Sequence, residues 1–516
     1  MSQNPSFAPV PPSLIRWLLG VGVFSLLLRT WIALTFPVTG DEAFFYWWGV
    51  YPAWGYSDHP PMVGWLIAFM RATLGDSLGS IRLPIVLLPL ALGAALWWAL
   101  HSLDKVRAAW AVLFFWLAPL NWLNTLITTD TPLIFWSALS VAALFRAERR
   151  ERLDGAAYGL YALSGVFIGC AFLSKYFSVV LGLAYLVYFA LYRRERLAGL
   201  AVLVGCALPG PAINIAYNMS HGWSNIMFNV YNRNEDAVFA WRKPLTYLGM
   251  MVYLVTPVAV WMVLRHRAAV VDAARRHRLL ACLVLVPLVF FALLSGKKVI
   301  GLHWVLSFYP FGFAFLAFAL PADQLKRCAR GLAVFAGLHV LVVAALYSTT
   351  LETWQTTPVL SKYYPQVVRS YRTAEMLKKV EAPGVVLMGE AYTPASIFGF
   401  ERREYMPVFG VGKFHARQDD QLVDFSVYQG KTIRIILADP PQLDAYKPYF
   451  ESVQTLRFEE SGVRFYALEG IGFNYQAYRE GVLGQIYQRY YNIPQWLPMT
   501  GCPFCERYCG QVRCPR

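Results

Sequence analysis

The chain has 516 residues, of which 57% are hydrophobic and only 15% are charged, and its formal net charge is +15. A soluble globular protein carries about a quarter charged residues, so this composition excludes that class and indicates a polytopic membrane protein. Most Lys and Arg residues lie in short clusters between apolar runs, which is typical of membrane topology signals and does not favour nucleic-acid binding.

Apolar runs long enough to cross a hydrocarbon core of about 30 Å recur along the first two-thirds of the chain. The Pro-rich residues 1–13 before them are expected to be a disordered tail. The first run lacks a small-residue cleavage site, so it predicts a spanning helix and not a signal peptide. About eleven spans are predicted, at residues 14–36, 81–101, 108–124, 131–147, 156–173, 176–192, 197–217, 245–264, 279–295, 301–320 and 330–348.

The distribution of positive charge predicts the orientation of these spans. With a cytoplasmic N-terminus, the inner loops carry HSLDKVR, FRAERRERLD, YRRER, LRHRAAVVDAARRHR and LKRCAR. Basic loops stay inside, so the first outer loop (37–80) and everything after residue 350 are expected on the outer face, the periplasmic side of a bacterial inner membrane.

Residues 351–500 differ in kind from the preceding membrane domain, residues 14–350. Short β-rich runs such as GVVLMGEAY, KTIRIILAD and VRFYALEG alternate there with amphipathic ones. This alternation is typical of a small α/β domain. The predicted fold class is therefore an α-helical polytopic membrane protein with a small C-terminal extracytoplasmic α/β domain, followed by a Cys-rich tail at 501–516.

The first outer loop begins with two adjacent carboxylates, Asp41 and Glu42, and the aromatic run FFYWW follows them. Carboxylates close to a bilayer cost free energy unless they are used. One interpretation is that the pair caps a helix lying along the membrane interface, where Trp and Tyr settle. The other is catalysis, because a carboxylate at this surface can act as a general base.

Further polar groups fall on the same predicted face. They stand in DHPP, at the start of a span in TTDTPL, at a helix break in SKY, and in GKKVIGLHW. The set is Asp58, His59, Asp130, Lys175, Lys297, Lys298 and His303. Acids that can accept a proton, together with cations that can hold a phosphate, suit group transfer from a lipid-linked phosphate donor.

At this point the sequence resembles a known superfamily. The ordered strings DEAFFYWW, AWGYSDHPPMVGWL, TTDTPLIFW, FLSKYFSVVLGL, NMSHGWSNIMFN and GLHWVLSFYP resemble the GT-C membrane glycosyltransferases over roughly residues 10 to 350. Within that group the chain looks most like bacterial relatives of protein O-mannosyltransferases, lipid A aminoarabinose transferases and lipopolysaccharide core galacturonosyltransferases.

The resemblance implies a polyprenyl-phosphate-sugar donor and an extracytoplasmic acceptor, either an envelope glycolipid or a protein. It implies that Asp41 is the catalytic base, that Glu42 orients the acceptor or shares a metal, and that Asp130 and Lys175 surround the donor phosphate. Lys297, Lys298 and His303 are further candidates for contacts to that phosphate. Attack in a single displacement would invert the anomeric carbon.

One departure from the family concerns the sugar. Aminoarabinose transferases tend to carry an Arg shortly after the Asp-Glu pair, and Phe44, Phe45 and Tyr46 fill that space here. The departure weakens the assignment of aminoarabinose as the donor sugar.

Two loops supply candidates for contacts to the acceptor, namely Tyr56, Asp58, His59, His221 and Trp223. A divalent metal ion is a further hypothesis, with Asp41, His59 and His303 as ligands, although their spacing matches no compact metal motif.

The C-terminal tail CPFCERYCGQVRC carries Cys502, Cys505, Cys509 and Cys514. Four thiolates this close together could hold zinc or an iron–sulfur cluster. An oxidising outer compartment instead favours two disulfides, and we expect these to staple the end of the domain.

The main alternative function is a transporter or flippase of lipid-linked sugars. Such proteins usually show repeated halves and helices broken near the midplane. The sequence indicates neither, and its charges gather at one predicted face. A protein that only assembles the envelope would leave the acids of the outer loops without a role.

Overall fold

The structure is a computed structural model and describes residues 8–230, 238–412 and 418–512. Most of the predicted tail, residues 1–7, lies outside this range. The helices up to residue 347 are α1 (Pro12–Thr35), α2 (Gly40–Val50), α3 (Met62–Leu74), α4 (Leu78–Leu100), α5 (Lys105–Trp116), α6 (Leu120–Leu123), α7 (Asp130–Glu148), α8 (Gly155–Phe172), α9 (Ser178–Tyr192), α10 (Leu197–Ala207), α11 (Pro209–Ser220), α12 (Ser224–Val230), α13 (Arg242–Val255), α14 (Pro257–Arg265), α15 (Arg267–Arg276), α16 (Arg278–Ser295), α17 (Tyr309–Ala319) and α18 (Ala322–Tyr347).

The remaining elements combine helices with strands. The helices are α19 (Leu351–Thr356), α20 (Pro358–Ser361), α21 (Tyr364–Tyr371), α22 (Thr373–Val380), α23 (Tyr392–Arg402), α24 (Asp419–Leu422), α25 (Tyr475–Tyr478), α26 (Gly484–Ile486) and α27 (Pro503–Cys509). The strands are β1 (Val385–Gly389), β2 (Thr432–Leu437), β3 (Phe450–Glu460) and β4 (Val463–Phe473).

Every predicted apolar run contains helix, but fewer helices than predicted are long enough to span a membrane. Within the described residues, six stretches pass a test of length and apolarity, namely α1, α4, α8, Arg194–Ser220, α16 and α18. The prediction of about eleven spans is therefore confirmed only in part. Helices α9 and α17 are apolar, but they have 15 and 11 residues and are shorter than the roughly 20 that a bilayer requires.

One predicted span, residues 245–264, is broken. Helices α13 and α14 meet at an angle of 91°. Thr256 stands at the break with a φ of 75°, and its side chain accepts a hydrogen bond from the Ala259 backbone N–H. Pro257 lacks an N–H and disfavours a helical conformation at the residue before it, so it ends the first helix. The hydropathy of the sequence did not indicate this break.

The chain divides into two compact units that do not follow the predicted boundaries. Unit 1 comprises Met1–Phe36, Met70–Ala212 and Ala237–Tyr347, and unit 2 comprises Pro37–Phe69, Ile213–Asp236 and Ser348–Arg516. The predicted membrane domain 14–350 thus loses two loop segments to unit 2. The physical reason is that α2, in the first loop, packs against α23 of the C-terminal region.

Two buried arginines hold together the first spans of unit 1. The Arg82 Nη1 donates to the carbonyls of Ala33 and Phe36 at 3.0 and 2.7 Å, at the end of α1 where helix carbonyls lack partners. The Arg29 guanidinium donates to the Ile85 carbonyl. Pro89 cannot donate to Ile85 within α4, so Arg29 satisfies the acceptor that the proline leaves open.

Unit 2 contains the small sheet that the sequence predicts. The strand order is β1-β2-β4-β3, with β1 and β2 parallel and the other neighbours antiparallel. Val408, outside these strands, forms an isolated parallel bridge with Gly389 at the end of β1. The apolar core of this unit includes Ile433, Ile435 and Leu468, and it extends to Cys502 and Cys505 of the tail.

Candidate active site

The adjacent carboxylates of the first loop have different environments. Thr39 is the N-cap of α2, and Glu42 closes a capping box with it: the Glu42 carboxylate accepts from the Thr39 N–H and hydroxyl, each at 3.2 Å. Glu42 is fully buried, whereas Asp41 is exposed in the first turn. Helix capping therefore accounts for Glu42, and Asp41 is the carboxylate of the pair that solvent can reach.

The aromatic run after these carboxylates does not lie at a lipid surface. Tyr46, Trp47 and Trp48 are at most 3% exposed. The Tyr46 ring meets Phe400 of α23 edge-on at 4.8 Å, and the Trp47 ring meets Tyr405 at 5.4 Å. The interfacial interpretation of FFYWW was wrong, because these rings form the buried contact of α2 within unit 2.

Tyr56 is a packing residue of the first loop. Its ring stacks on Trp48 with centroids 4.3 Å apart, and its hydroxyl donates to the Trp48 carbonyl at 2.8 Å. Burial raises the pKa of Tyr56. The structure thus gives Tyr56 internal partners and not the exposed position expected of an acceptor contact.

Asp58 and His59 form a close pair in the same loop. The His59 Nδ1 lies 3.1 Å from the Asp58 Oδ1, and the Asp58 and His59 side chains are 6% and 17% exposed. The His59 ring lies 6.2 Å from the Phe45 ring. A buried carboxylate beside an imidazole fixes the orientation of that imidazole, so His59 is the member of the pair with access to solvent.

Two asparagines of α12 that are not among the predicted site residues hold this loop. Asn225 donates to the Tyr56 carbonyl at 2.9 Å, and Asn229 donates to the Asp58 carbonyl at 2.7 Å. Both lie on α12, four residues apart and hence on one face. That spacing within NMSHGWSNIMFN was the available signal, since amides on one face of a short helix suit hydrogen bonds to a facing backbone.

His221 and Trp223 lie in the turn after α11, which packs against residues near the C-terminal end of the chain. The His221 ring stacks on Tyr217 at 4.1 Å, and the Trp223 Nε1 donates to the Pro498 carbonyl at 2.7 Å. Gly222 between them has a φ of 61°, and a Cβ there would lie 2.8 Å from the Cys502 sulfur. Both predicted acceptor contacts therefore have packing partners within unit 2.

In unit 1 the structure brings Asp130 and Lys175 together. The Lys175 Nζ donates to both carboxylate oxygens of Asp130, at 2.8 and 2.9 Å, and the two side chains are 10% and 8% exposed. Asp130 opens α7, and Lys175 stands in the break between α8 and α9. An ammonium group has three N–H donors, and the carboxylate takes two of them.

Aromatic rings connect this ion pair to the segment that contains His303. The Lys175 Nζ lies 5.5 Å from the Phe177 ring, and Phe177 contacts Trp304 with centroids 4.7 Å apart. His303, directly before Trp304, is exposed. Lys297 is exposed and Lys298 partly exposed in the turn after α16, and the Lys297 carbonyl accepts from the Lys243 Nζ at 2.8 Å.

A metal centre is not evident in the described part of the chain. No group of three or more His, Cys, Asp or Glu side chains lies close enough there to hold an ion. Of the ligands proposed from sequence, Asp41 and His59 lie in unit 2 and His303 lies in unit 1.

The cysteines of the C-terminal tail do not form both of the expected disulfides. Cys509 is disulfide-bonded, Cys502 and Cys505 are buried and not disulfide-bonded, and Cys514 lies outside the described residues. Cys502 is the N-cap of α27, and its sulfur accepts from the Cys505 backbone N–H at 3.2 Å. The first two thiols thus cap a helix in the core of unit 2, so the expected disulfide is absent at this pair.

Comparisons with known proteins agree with the motifs. Residues 58–209 match the family model described as dolichyl-phosphate-mannose-protein mannosyltransferase. Lipid A galacturonosyltransferase RgtD of Rhizobium johnstonii is 25% identical over 264 residues, which cover 47% of this chain and 54% of that protein. The match thus spans about half the length of this curated relative.

Two solved structures of ArnT from Cupriavidus metallidurans share the fold. The apo state matches with a TM-score of 0.62 and 15% identity, and the form bound to undecaprenyl phosphate matches with 0.63 and 13%. Each match covers 88% of this chain and 98% of the other. The sequence matches and the shared fold confirm the resemblance recognised from the motifs: the chain is a membrane protein similar to the GT-C glycosyltransferases, and it shares the fold of ArnT.

Proposed function

We propose that the chain transfers a sugar from a polyprenyl-phosphate donor to an envelope glycolipid, with lipid A or the lipopolysaccharide core as acceptor, at the periplasmic face of a bacterial inner membrane. The relatives support this proposal: one is named a lipid A galacturonosyltransferase, and ArnT has been solved with undecaprenyl phosphate bound. The observation that carries it is the exposed Asp41 carboxylate beside a Glu42 engaged in the capping box.

In the proposed reaction, Asp41 accepts the proton of the attacking acceptor hydroxyl. The hydroxyl oxygen bonds to the anomeric carbon while the bond from that carbon to the phosphate oxygen breaks. Polyprenyl phosphate leaves with the electron pair, and the anomeric carbon is inverted. A positioned general base of this kind contributes a factor of about 10² to 10⁴ in rate.

The leaving phosphate gains negative charge as its bond breaks, so a nearby cation stabilises the transition state. We assign this role to Lys175, because two of its three N–H donors bind Asp130 and one is left for a phosphate oxygen. Asp130 holds the ammonium in place. Lys297, Lys298 and His303 are further candidates for contacts to the phosphate.

For the sugar, we propose galacturonic acid as the first donor to test. The RgtD relative is named for transfer of this sugar. Phe44 and Tyr46, which stand near the position where aminoarabinose transferases tend to carry an Arg, are buried in unit 2. They offer no cationic group in its place.

The experiment supplies the purified full-length protein with polyprenyl-phosphate-galacturonate and lipid A, and measures the product by mass spectrometry. Asp41→Asn should lower the rate by a factor of about 10² or more with an unchanged Tm, because the side chain is exposed. Asp444→Asn is the matched control, since Asp444 is an exposed carboxylate of the same unit.

Two results would contradict the proposal. Turnover of Asp41→Asn at the wild-type rate would show that Asp41 is not the base. Failure of the wild-type protein to glycosylate any lipid A or core acceptor, across a panel of polyprenyl-phosphate sugars, would contradict the transfer itself.

A protein acceptor is the second candidate. The match of residues 58–209 to a family of protein mannosyltransferases favours it. Adding a Ser/Thr-rich peptide as a competing acceptor in the same assay separates the two, because glycopeptide without modified lipid A would identify the protein O-glycosyltransferase.

A further inference from the structure

Seven arginines surround the end of α7 in unit 1, on the predicted cytoplasmic side. A cavity of about 450 Å³ is lined by Arg149, Arg193, Arg276 and Arg278. A second, of about 520 Å³, is lined by Arg146, Arg149, Arg150 and Arg152. Arg149 borders both, and we call the first cavity the basic cleft.

Glu148 lines the basic cleft, and several neighbours fix its position. Its side chain is 6% exposed and accepts from the Tyr188 hydroxyl at 2.8 Å and from the Tyr161 hydroxyl. The Arg193 Nε lies 3.3 Å from the same carboxylate. A network with this many partners fixes side-chain positions before any ligand arrives.

Several arginines around the two cavities already have a carboxylate partner. Arg150 pairs with Asp154, Arg193 with Glu148 and Glu195, and Arg276 with Asp272. These pairs neutralise their guanidinium groups and leave little charge for a ligand.

Two arginines of the basic cleft differ. Within the described residues, the structure records no carboxylate within 4 Å of Arg149 or Arg278. Arg149 donates only to the Ser102 carbonyl, at 3.1 Å, and the Arg278 guanidinium lies 4.8 Å from the centre of the Tyr192 ring. Both residues are exposed and line the cleft, and the Arg278 Nε donates to the Arg275 carbonyl at 3.3 Å. Neither guanidinium has a carboxylate partner, so both keep their positive charge for a ligand.

His277, which also lines the cleft, has a lowered pKa. Burial is the main cause, and the charges of Arg276 and Arg107 lower the pKa further. A site that disfavours a further cation favours an anion.

The cleft combines this charge with apolar walls at the level where spans begin. Arg278 is the first residue of α16, one of the six spanning helices. Phe145 and Leu279 line the cavity beside Tyr188 and Tyr192. Lipid phosphates lie at this boundary, and basic pockets between spanning helices suit anionic head groups. Orienting the spans requires only basic loops, which does not explain two unpaired arginines at one cavity.

We propose that the basic cleft binds the phosphate of an anionic glycerophospholipid, with Arg149 and Arg278 holding the phosphate oxygens and the apolar walls contacting the start of the acyl chains. The proposal concerns a site outside the transferase machinery and does not depend on the proposed sugar transfer. With the predicted orientation, the lipid comes from the cytoplasmic leaflet.

The test compares full-length protein in nanodiscs of phosphatidylglycerol with nanodiscs of phosphatidylcholine, and counts the lipids retained after release by native mass spectrometry. Arg149→Gln and Arg278→Gln should each weaken retention of phosphatidylglycerol about fivefold, and the double variant about 25-fold. Arg330→Gln is the matched control, because Arg330 is an exposed arginine in LKRCAR, also predicted to be cytoplasmic, and does not line the cleft.

The double variant Arg149→Lys/Arg278→Lys keeps both positive charges, and it replaces the Gln variants in this test if they fail to fold. It should retain an intermediate affinity, because lysine cannot bind phosphate bidentately. Unchanged retention in the double Gln variant, or an equal loss in Arg330→Gln, would overturn the proposal. Displacement of the lipid by millimolar inorganic phosphate, or equal retention of polyprenyl phosphate, would overturn the assignment to a glycerophospholipid.

Discussion

The buried ion pair between Asp130 and Lys175 makes a sharp prediction about stability. Removing one partner leaves the other charge buried without compensation, so we expect Asp130→Ala and Lys175→Met each to destabilise unit 1. The double variant Asp130→Leu/Lys175→Met removes both charges and replaces them with apolar groups, so it should recover most of the loss.

The expected loss of stability follows from the burial and the short distances of this ion pair. Both oxygens of Asp130 contact the Lys175 Nζ within 2.9 Å, and both side chains are at most 10% exposed. Breaking a buried pair by removing one partner costs about 3 to 5 kcal/mol, whereas replacing both with apolar residues is often neutral. For a chain of 516 residues that unfolds cooperatively, such a loss lowers Tm by roughly 3 to 5 °C.

The assay is thermal unfolding in detergent, with sugar transfer measured on the same samples. Arg71 and Asp76 provide the matched control, because they form a similar two-bond pair at 2.9 Å with side chains 24% and 39% exposed. Asp76→Ala should cost at most about 1 kcal/mol. Transfer should stay low in the double variant, since the proposed phosphate ligand is gone. A Tm of Asp130→Ala equal to that of Asp76→Ala would refute the reasoning.

Three further predictions concern unit 2. Asn229→Ala removes the donor to the Asp58 carbonyl, so transfer should fall about tenfold or more with Tm lowered by only a few degrees; unchanged kcat would show that the loop needs no such support. Burial lowers the pKa of His221, so the folded state resists protonation and stability should fall as pH drops below about 6.5; Tm measured from pH 5 to 8 should lose this dependence in His221→Gln. The hydrogen bond with Cys505 and burial raise the pKa of the Cys502 thiol, so neither thiol should react with maleimide at pH 8 until the protein unfolds, and rapid labelling of the native protein would contradict the burial.

Much of the helical fold could be predicted because apolar runs and basic clusters are local properties of the sequence. Each predicted run contains helix in the structure. Within the described residues, fewer helices than predicted are long and apolar enough to span a membrane, because hydropathy does not show where a helix ends. Pro257 breaks one run with a turn of 91°, and α17 has 11 residues because it begins only at Tyr309, well inside the predicted run 301–320.

Candidate site residues could be singled out from the sequence, but their contacts could not. Asp130 and Lys175 were singled out for their positions at helix ends, and their ion pair depends on the packing of α7 beside the break after α8. The aromatic run was misplaced because an aromatic helix suits a membrane interface and a protein core equally well. Only the partner helix α23, more than 300 residues later, distinguishes the two.

The order of the two carboxylates in the first loop also has a physical meaning. On an α-helix, successive residues are separated by about 100° around the axis, so Asp41 and Glu42 cannot share one direction. Glu42 occupies the third helical position, where a side chain of its length reaches back to the N-cap of Thr39. The shorter Asp41 occupies the second position and is exposed. An interpretation of Asp-Glu as a single pair therefore merges two different environments: Glu42 helps to fix where the helix begins, and that start leaves Asp41 exposed.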